Sequence, residues 1–383
     1  MLIIMKILLV GEYSGVHTEL AKALNRLGHE VLTVSDGDSY KNFPRDITIT
    51  RKRAESKLGI IRDIIYEYLG VKGLITYFIN LNKIKSMSGY DVVQIINPIA
   101  LEAFGSIANI LFINRLSKNN NSLYLCALGD DSRWVDACLN NKYKYSPLDM
   151  LSYKTIYKFS YSLRYKYGLF FTLLQRVAEK EAHKIIPGLL DYKIAYENVD
   201  KCTQIIKIPL PKETIDKAMS LRELDCLHPT NRLKIFHGWQ QGKELKKGNL
   251  IFNEAALNVK KNFGDLVEYK VVKSVPYDEY LRMLDDSDIF LDQTYSYDRG
   301  VNALIGMASG CVVFSGFEDV PNYSIGINAT PDVISIESEI EKVIESPEEM
   351  HNIKMKSLDY IINNHNPDVI AQQYINVWRS DYE

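Results

Sequence analysis

Short apolar runs recur along the chain, each closed by a loop with glycine, proline or aspartate and followed by a stretch with helical spacing. Lys6–Val10 (KILLV) is apolar at every position but its first, as suits a strand buried on both faces of a parallel sheet. The loop at 11–17 (GEYSGVH) leads into TELAKALNRLGHE, where Leu20, Leu24 and Leu27 share one helical face and Gly28 closes the helix. Residues 31–34 (VLTV) complete a βαβ unit whose crossover is expected to be right-handed. Further strands are predicted at 90–96 (ending at Asn97-Pro98), at 123–128 (ending at Gly129-Asp130-Asp131), at 184–187 and at 205–208. Residues 172–183 read as a helix, whereas 142–171, rich in Tyr, Lys, Arg and Phe, show no clean period.

After two prolines, a polar helix and LHPTNR, the alternation starts again. Strands are predicted at 233–236, 267–272, 289–292 and 311–314, with helices at 249–261, 277–284 and 301–309 between them. The tail, 347–378, reads as two helices split around 363–367. Two successive doubly wound α/β sheets account for this order. The expected division is a first Rossmann-like domain over 1–208, a linker at 209–231, a second Rossmann-like domain over 232–362, and a C-terminal helix in 363–383 that returns to the first domain.

Composition narrows the class. A chain of 383 residues suits two domains better than one, and 46% apolar with 25% charged residues is ordinary for a globular protein. The net charge of −2 gives no general reason to bind nucleic acid. Cys126, Cys138, Cys202, Cys226 and Cys311 are scattered and odd in number, which argues against a disulfide framework or a zinc site and fits a reducing, cytoplasmic setting. The start, MLIIMKILLVGEY, reads as a first strand and not as a leader, because its apolar run is short, contains a lysine and precedes no cleavage pattern. No stretch approaches the roughly 18 apolar residues of a membrane span.

Ligands of open α/β sheets bind at the carboxyl ends of the strands. The loop HGWQQGKELKKG offers Lys243 and Lys247, with Gly242 and Gly248 beside them: positive charge and unobstructed amides for a diphosphate. In DQTYSYDRGVNALIGMASG a strand ends at Asp292 and a helix opens at Gly300, so the amides of Gly300, Val301 and Asn302 would form an anion site, to which Arg299 adds charge. A tightly packed strand–helix corner explains the glycines and alanines there, but not Arg299 and Asn302. In the first half, Asp130 and Asp131 are the best carboxylate pair, placed to orient an acceptor hydroxyl or, alternatively, to cap the helix that follows. His17 could face the same cleft or lie in the core. Asp36-Gly37-Asp38 spells an Asp-x-Asp, but directly after a Rossmann strand it reads as a turn, and no metal is expected. GEYSGVH does not fit G-x-G-x-x-G, which excludes a dinucleotide-dependent oxidoreductase.

Taken together, these segments resemble the GT-B glycosyltransferases of the group 1, family 4, retaining type. The resemblance covers nearly the whole chain and rests on KILLVGEYSGVHTELAKALNRLGHEV, KIIPGLLDYKIAY, KIFHG…KKG and DIFLDQTYSYDRGVNALIGMASGCVVF. It implies two Rossmann-like domains facing across a cleft, and transfer of a hexose-type sugar from a nucleotide-diphosphate sugar to a glycan or lipid-linked acceptor in surface polysaccharide assembly, with no cofactor. It also implies that Lys243 and Lys247 hold the donor diphosphate and that Gly300, Val301 and Asn302 touch phosphate through their amides. Ser274, Val275 and Pro276 would contact the base, and Gly15 and His17 would face acceptor and donor. The sequence departs from the family at two glutamates eight positions apart: Tyr297 and Ile305 stand in their places. A non-catalytic, sugar- or partner-binding relative is therefore the alternative. Finally, YKYSPLDMLSYKTIYKFSYSLRYKYGLFF interleaves aromatics with Lys and Arg, as an interfacial membrane surface does, which raises peripheral contact with the inner face of a membrane.

Overall fold

The computed structural model describes residues 4–38, 41–52, 54–224, 232–273 and 275–380. They form two compact units, one built from residues up to 142, 156–209 and 367 onward, the other from 143–155 and 210–366.

In the first unit, β1 (Lys6–Val10), α1 (Val16–Arg26), β2 (Glu30–Ser35) and the short β3 (Ile47–Thr48) are followed by three helices, α2 (Lys57–Tyr68), α3 (Leu74–Ile79) and α4 (Leu81–Lys85). Then come β4 (Val92–Ile95), α5 (Ser106–Asn119), β5 (Ser122–Ala127), α6 (Ser132–Leu139), α7 (Ser160–Tyr167), α8 (Phe171–Glu181), β6 (Ile185–Pro187) and α9 (Leu190–Ala195). The strands pair in parallel in the order β3-β2-β1-β4-β5-β6, the Rossmann arrangement. Every residue of β4 and β5 is buried, so helices cover both faces, which explains their unbroken apolar runs. Residues 205–208 form no strand. The Ile206 N–H reaches the Pro187 carbonyl at 3.1 Å, but Pro209 has no N–H with which to extend the pairing.

The second unit holds α10 (Lys212–Leu224), β7 (Leu233–Trp239), α11 (Glu244–Lys247), α12 (Asn249–Phe263), β8 (Val267–Lys273), α13 (Tyr277–Asp285) and β9 (Ile289–Leu291). It continues with α14 (Val301–Ala308), β10 (Val312–Ser315), β11 (Ile327–Asn328), α15 (Val333–Glu345) and α16 (Pro347–Asn364). Its parallel sheet runs β11-β10-β9-β7-β8, and its core joins Ile235, Phe252, Leu291, Phe314 and Ile340. Most of the expected linker is thus α10, a helix packed on α16; residues 225–231 lie outside the described set.

Two segments change units. Residues 143–155 belong to the second unit: the rings of Tyr143 and Tyr145 meet Tyr297 edge-on at 5.3 Å each, and the Lys144 N–H donates to the Tyr297 hydroxyl. Glu318 accepts from Tyr145 Oη (2.7 Å), Lys144 Nζ (2.9 Å) and Asn328 Nδ2 (3.0 Å). The last helix, α17 (Pro367–Arg379), belongs to the first unit, where it packs on α1. Arg26 pairs with Asp368 at 2.6 Å, and the Tyr124 hydroxyl donates to the Trp378 carbonyl at 3.1 Å.

Candidate functional site

Strand order reverses between β7 and β9 in the second sheet, and a crevice at the carboxyl ends is expected at such a point. The loop after β7 supplies Lys243, Lys247 and Gly248; the loop after β9 supplies Asp292, Thr294 and the start of α14. The two loops are joined by a hydrogen bond from the Thr294 N–H to the Lys247 carbonyl (3.1 Å). Gly248 sits at φ +68, and a Cβ there would lie 2.1 Å from Thr294 Oγ1, so only glycine permits this approach. Lys247 Nζ pairs with Asp292 Oδ1 at 2.8 Å; Asp292 is buried, and its other oxygen accepts from Ser315 Oγ at 3.2 Å. Lys243 is exposed at the head of α11.

Beneath these loops lies a buried polar group. The Tyr269 hydroxyl donates to Asn253 Oδ1 (3.2 Å), so His237 Nδ1–H donates to that hydroxyl at 2.8 Å and Nε2 is left as a bare acceptor. Burial, with the charge of Lys247 next, pushes the His237 pKa down to about 4, so the ring is neutral. Asn249 lies close enough to His237 to favour its proton, yet neither amide atom completes a well-formed hydrogen bond within the protein, and Thr294 Oγ1 and the Tyr280 hydroxyl are likewise without protein partners. Buried polar groups left in this way cost about 1–3 kcal/mol each, a pattern found where a site awaits a polar ligand.

Helix α14 opens at Gly300 with no side-chain cap, so the amides of Gly300, Val301 and Asn302 stand at the positive end of its dipole. Asn302 is exposed, and Gly300 and Val301 are half-buried. Arg299 does not join them. Its guanidinium is 1% exposed and turned into the unit, where it forks onto both oxygens of Asp319, pairs with Asp298 at 3.3 Å and donates to the Tyr360 hydroxyl at 2.8 Å. The expected phosphate cation is thus an internal tie. Val275 is half-buried and Pro276, which leads into α13, is exposed; Ser274 lies outside the described residues.

The first sheet reverses between β1 and β4, and there the protein fills its own switch point. Gly11, at φ +83, leaves room for the Ile96 side chain and the Ala100 carbonyl, which a Cβ would meet at 2.4 and 2.5 Å. The buried carboxylate of Glu12 takes the N-terminus of α1, accepting from the Gly15 N–H (3.0 Å), the Thr18 N–H (2.8 Å) and Thr18 Oγ1 (2.6 Å). Burial lifts its pKa to about 6 against these hydrogen bonds. Gly15 therefore spends its amide internally. His17 is 2% exposed; Nδ1–H donates to the Gly11 carbonyl at 2.8 Å, Nε2 faces Gln94 Nε2 at 3.3 Å, and burial lowers its pKa to about 4. It is a core histidine under the loop.

Asp131 is fully buried as the cap of α6, accepting from the Trp134 N–H at 2.8 Å and the Tyr196 hydroxyl at 2.6 Å. Burial raises its pKa to about 7 despite those bonds. Of the predicted catalytic trio only Asp130 is half-exposed, with Oδ2 accepting from Ser162 Oγ. Asp36-Gly37-Asp38 is a turn: Gly37 and Asp38 have positive φ, and Asp38 accepts from the Ser14 N–H at 2.9 Å and pairs with Lys41 at 2.7 Å. Among the described residues no group of three or more His, Cys, Asp or Glu side chains is arranged to hold a metal ion.

No protein-family model matches the sequence, and a sequence comparison with curated proteins finds no match. Solved structures do match over their full length. A glycosyltransferase from Rickettsia africae is 13% identical with a TM-score of 0.54, covering 99% of each chain. Anabaena Alr3699/HepE, solved in complex with UDP, is 12% identical with a TM-score of 0.58, covering 98% of this chain and 100% of that one. The fold is GT-B. The same architecture is similar to a putative UDP-N-acetylglucosamine 2-epimerase from Listeria monocytogenes, 11% identical with a TM-score of 0.53, covering 100% of this chain and 97% of that one.

Sequence reasoning placed the two loops of the second unit but overlooked the residues that join them. Thr294 and Asn249 carry no motif; the signal that finds them is their position in the segments that follow the two strands flanking the reversal, which requires the strand order. Glu12 had a local signal, a carboxylate three residues ahead of a glycine that opens a helix.

Proposed function

We propose that the protein binds a nucleotide-diphosphate sugar at the switch point of its second sheet and transfers the sugar to a glycan or lipid-linked acceptor, as a hexosyltransferase-type enzyme acting with retention in surface polysaccharide assembly. The observation that carries this reading is one uncapped helix end, at Gly300, Val301 and Asn302, on the loop whose buried Thr294 Oγ1, like the amide of Asn249, completes no well-formed hydrogen bond within the protein. In the transfer, the bond between the anomeric carbon and the diphosphate oxygen breaks as the acceptor oxygen bonds to the same face, and the acceptor hydroxyl's proton passes to the departing diphosphate oxygen. The α14 amides and the exposed Lys243 stabilise charge on the leaving diphosphate. Lys247 is held by Asp292 and serves best by fixing Gly248 and the loop. Val275 and Pro276, which follow β8, would contact the base. Asp130 is the acceptor-side candidate; Asp131 and His17 hold the scaffold. The setting is cytoplasmic.

One observation favours a second reading, binding without transfer. Tyr297 is locked by Tyr143, Tyr145 and Lys144, and Ile305 is buried, so neither position presents a carboxylate to a sugar. A thermal-shift screen with UDP, GDP, ADP, dTDP and CMP tests both. Stabilisation by one diphosphate, lost or weakened in Lys243→Ala, supports the donor site. Analysis of products from the matching nucleotide sugar then separates transfer, epimerisation and binding alone. No stabilisation by any diphosphate overturns the donor site.

A further inference from the structure

Helices α2 and α3 present apolar side chains to water. On α3, Ile75, Phe78 and Ile79 follow the spacing of one helical face and are 77, 61 and 77% exposed. The opposite face is anchored by Tyr77, whose ring meets Phe104 edge-on at 5.7 Å, so the helix is held with its apolar side outward. On α2, Leu58, Ile61 and Ile65 are also exposed, Leu58 to 81%. The surface continues through Leu169 and Phe170, because the Leu169 N–H donates to the Tyr68 carbonyl (2.7 Å) and the Tyr68 hydroxyl to the Ser160 carbonyl (2.8 Å). Phe170 is held exposed at φ +67, a left-handed conformation that is costly for a residue with a ring. Soluble monomers rarely leave an apolar surface this continuous bare.

Charge identifies what covers it. The net charge of the chain is −2, yet residues 51–85 and 156–176 together carry twelve basic side chains against three acidic ones. Two of those acids are neutralised locally, while Glu102 and Asp136, from outside these segments, pair with Arg164 and Lys166 in turn. Asp63 is bound by Arg51 at 2.7 Å, and Glu67 by Lys72 and, at 3.1 Å, by the buried Arg164. Lys57 on α2, Lys83 and Lys85 on α4, Lys158 just ahead of α7 and Arg176 on α8 remain exposed. Tyr157 and Tyr167, 69 and 65% exposed, add the amphipathic rings that favour a lipid–water boundary.

We propose that this face of the first unit docks on the surface of an anionic lipid bilayer. The α2–α3 side chains enter the boundary between headgroups and acyl chains, and the surrounding lysines meet lipid phosphates. No helix among the described residues is long and apolar enough to cross a membrane, so the contact is peripheral. A second copy of the chain is the poorer occupant, since a self-contact would set one basic rim against another. The docking face uses none of the residues assigned to the donor site and does not depend on that reading.

The test is flotation of the full chain with vesicles of phosphatidylcholine alone and of phosphatidylcholine mixed with phosphatidylglycerol, without nucleotide. The wild type is expected to float with the anionic vesicles and to be released by salt. Ile75→Glu/Ile79→Glu should weaken binding on the order of a hundredfold, and Lys57→Glu/Lys158→Glu on the order of tenfold. Ile334→Glu, at an equally exposed position on α15, should bind as the wild type does. Circular-dichroism melts matching the wild type show that the variants fold; both pairs change exposed side chains only. The proposal is overturned if the wild type ignores anionic vesicles, if both double variants float unchanged, or if sedimentation shows a dimer that Ile75→Glu/Ile79→Glu dissociates.

Discussion

Arg299 decides whether the cation at the head of α14 serves a ligand or the core, and Arg299→Leu separates the two. Leucine fills part of the volume but removes the charge. Asp298, with a side chain 3% exposed, and Asp319, 23% exposed, then lose their counter-ion, and the Tyr360 hydroxyl loses a donor at 2.8 Å. The Phe317 and Tyr360 rings also lose a cation at 5.0 and 5.2 Å from their centres. Removing one member of a buried ion pair costs about 3–5 kcal/mol. For a unit of this size each kcal/mol lowers Tm by roughly 2–4 °C, so the second unit should melt roughly 6–20 °C earlier. Arg299→Lys keeps the charge but not the fork onto Asp319 and should fall between. Urea denaturation and thermal melts of both variants, each with and without the stabilising nucleotide, make the measurement. An Arg299→Leu protein that melts within about 1 kcal/mol of the wild type yet loses nucleotide binding would refute the internal assignment and return the guanidinium to the ligand.

Lys243→Ala should leave stability within about 0.5 kcal/mol of the wild type while weakening a nucleoside diphosphate several-fold by calorimetry. Lys247→Ala strands the buried Asp292 and should cost about 3 kcal/mol in urea melts. Gly248→Ala combines a positive φ with a Cβ 2.1 Å from Thr294 Oγ1 and should destabilise by more than about 2 kcal/mol, whereas Gly242→Ala, at φ +84 with open space around it, should cost only the backbone term of about 1–2 kcal/mol. His17 and His237 have folded pKa values near 4, below the unfolded value near 6.5. The unfolded chain therefore takes up their protons first, and the stability each contributes is complete above pH 6.5 and lost as pH falls towards 4, up to about 3 kcal/mol each. Glu12 and Asp131, raised to about 6 and 7, act in the opposite sense and add stability as pH falls through those values. His17→Gln should thus flatten the acid limb of a Tm-against-pH curve; an unchanged limb would show that the ring is already protonated or solvated in the native protein.

The legible part of the sequence was what burial writes into consecutive residues. A strand covered on both faces must be apolar throughout, so KILLV, IFL and VVF announced the sheets, and Gly11, Asp292 and Ser315-Gly316, which follow them, announced the loops. Helices α2–α4 were missed because their apolar residues face outward as well as inward, leaving no period to read. In the site, Lys243 and the amides of α14 could be placed from local spacing alone. Arg299 could not, because Asp319 and Tyr360, which claim it, lie on other elements and are brought together only by packing. Nor does anything local reveal that Asp292 sits 2.8 Å from Lys247.

The last helix finishes the first unit, and this sets an order of events during synthesis. α1 and the face of the first sheet at Tyr124 stay uncovered until α17 has emerged, after every residue of the second unit has been made. N-terminal domains ordinarily fold first as a chain emerges; here the core of the first unit must wait for α17. A nascent chain stalled before Pro367 would carry a complete set of strands for both sheets and still expose the bed on which Trp378 rests, a surface suited to capture by a chaperone.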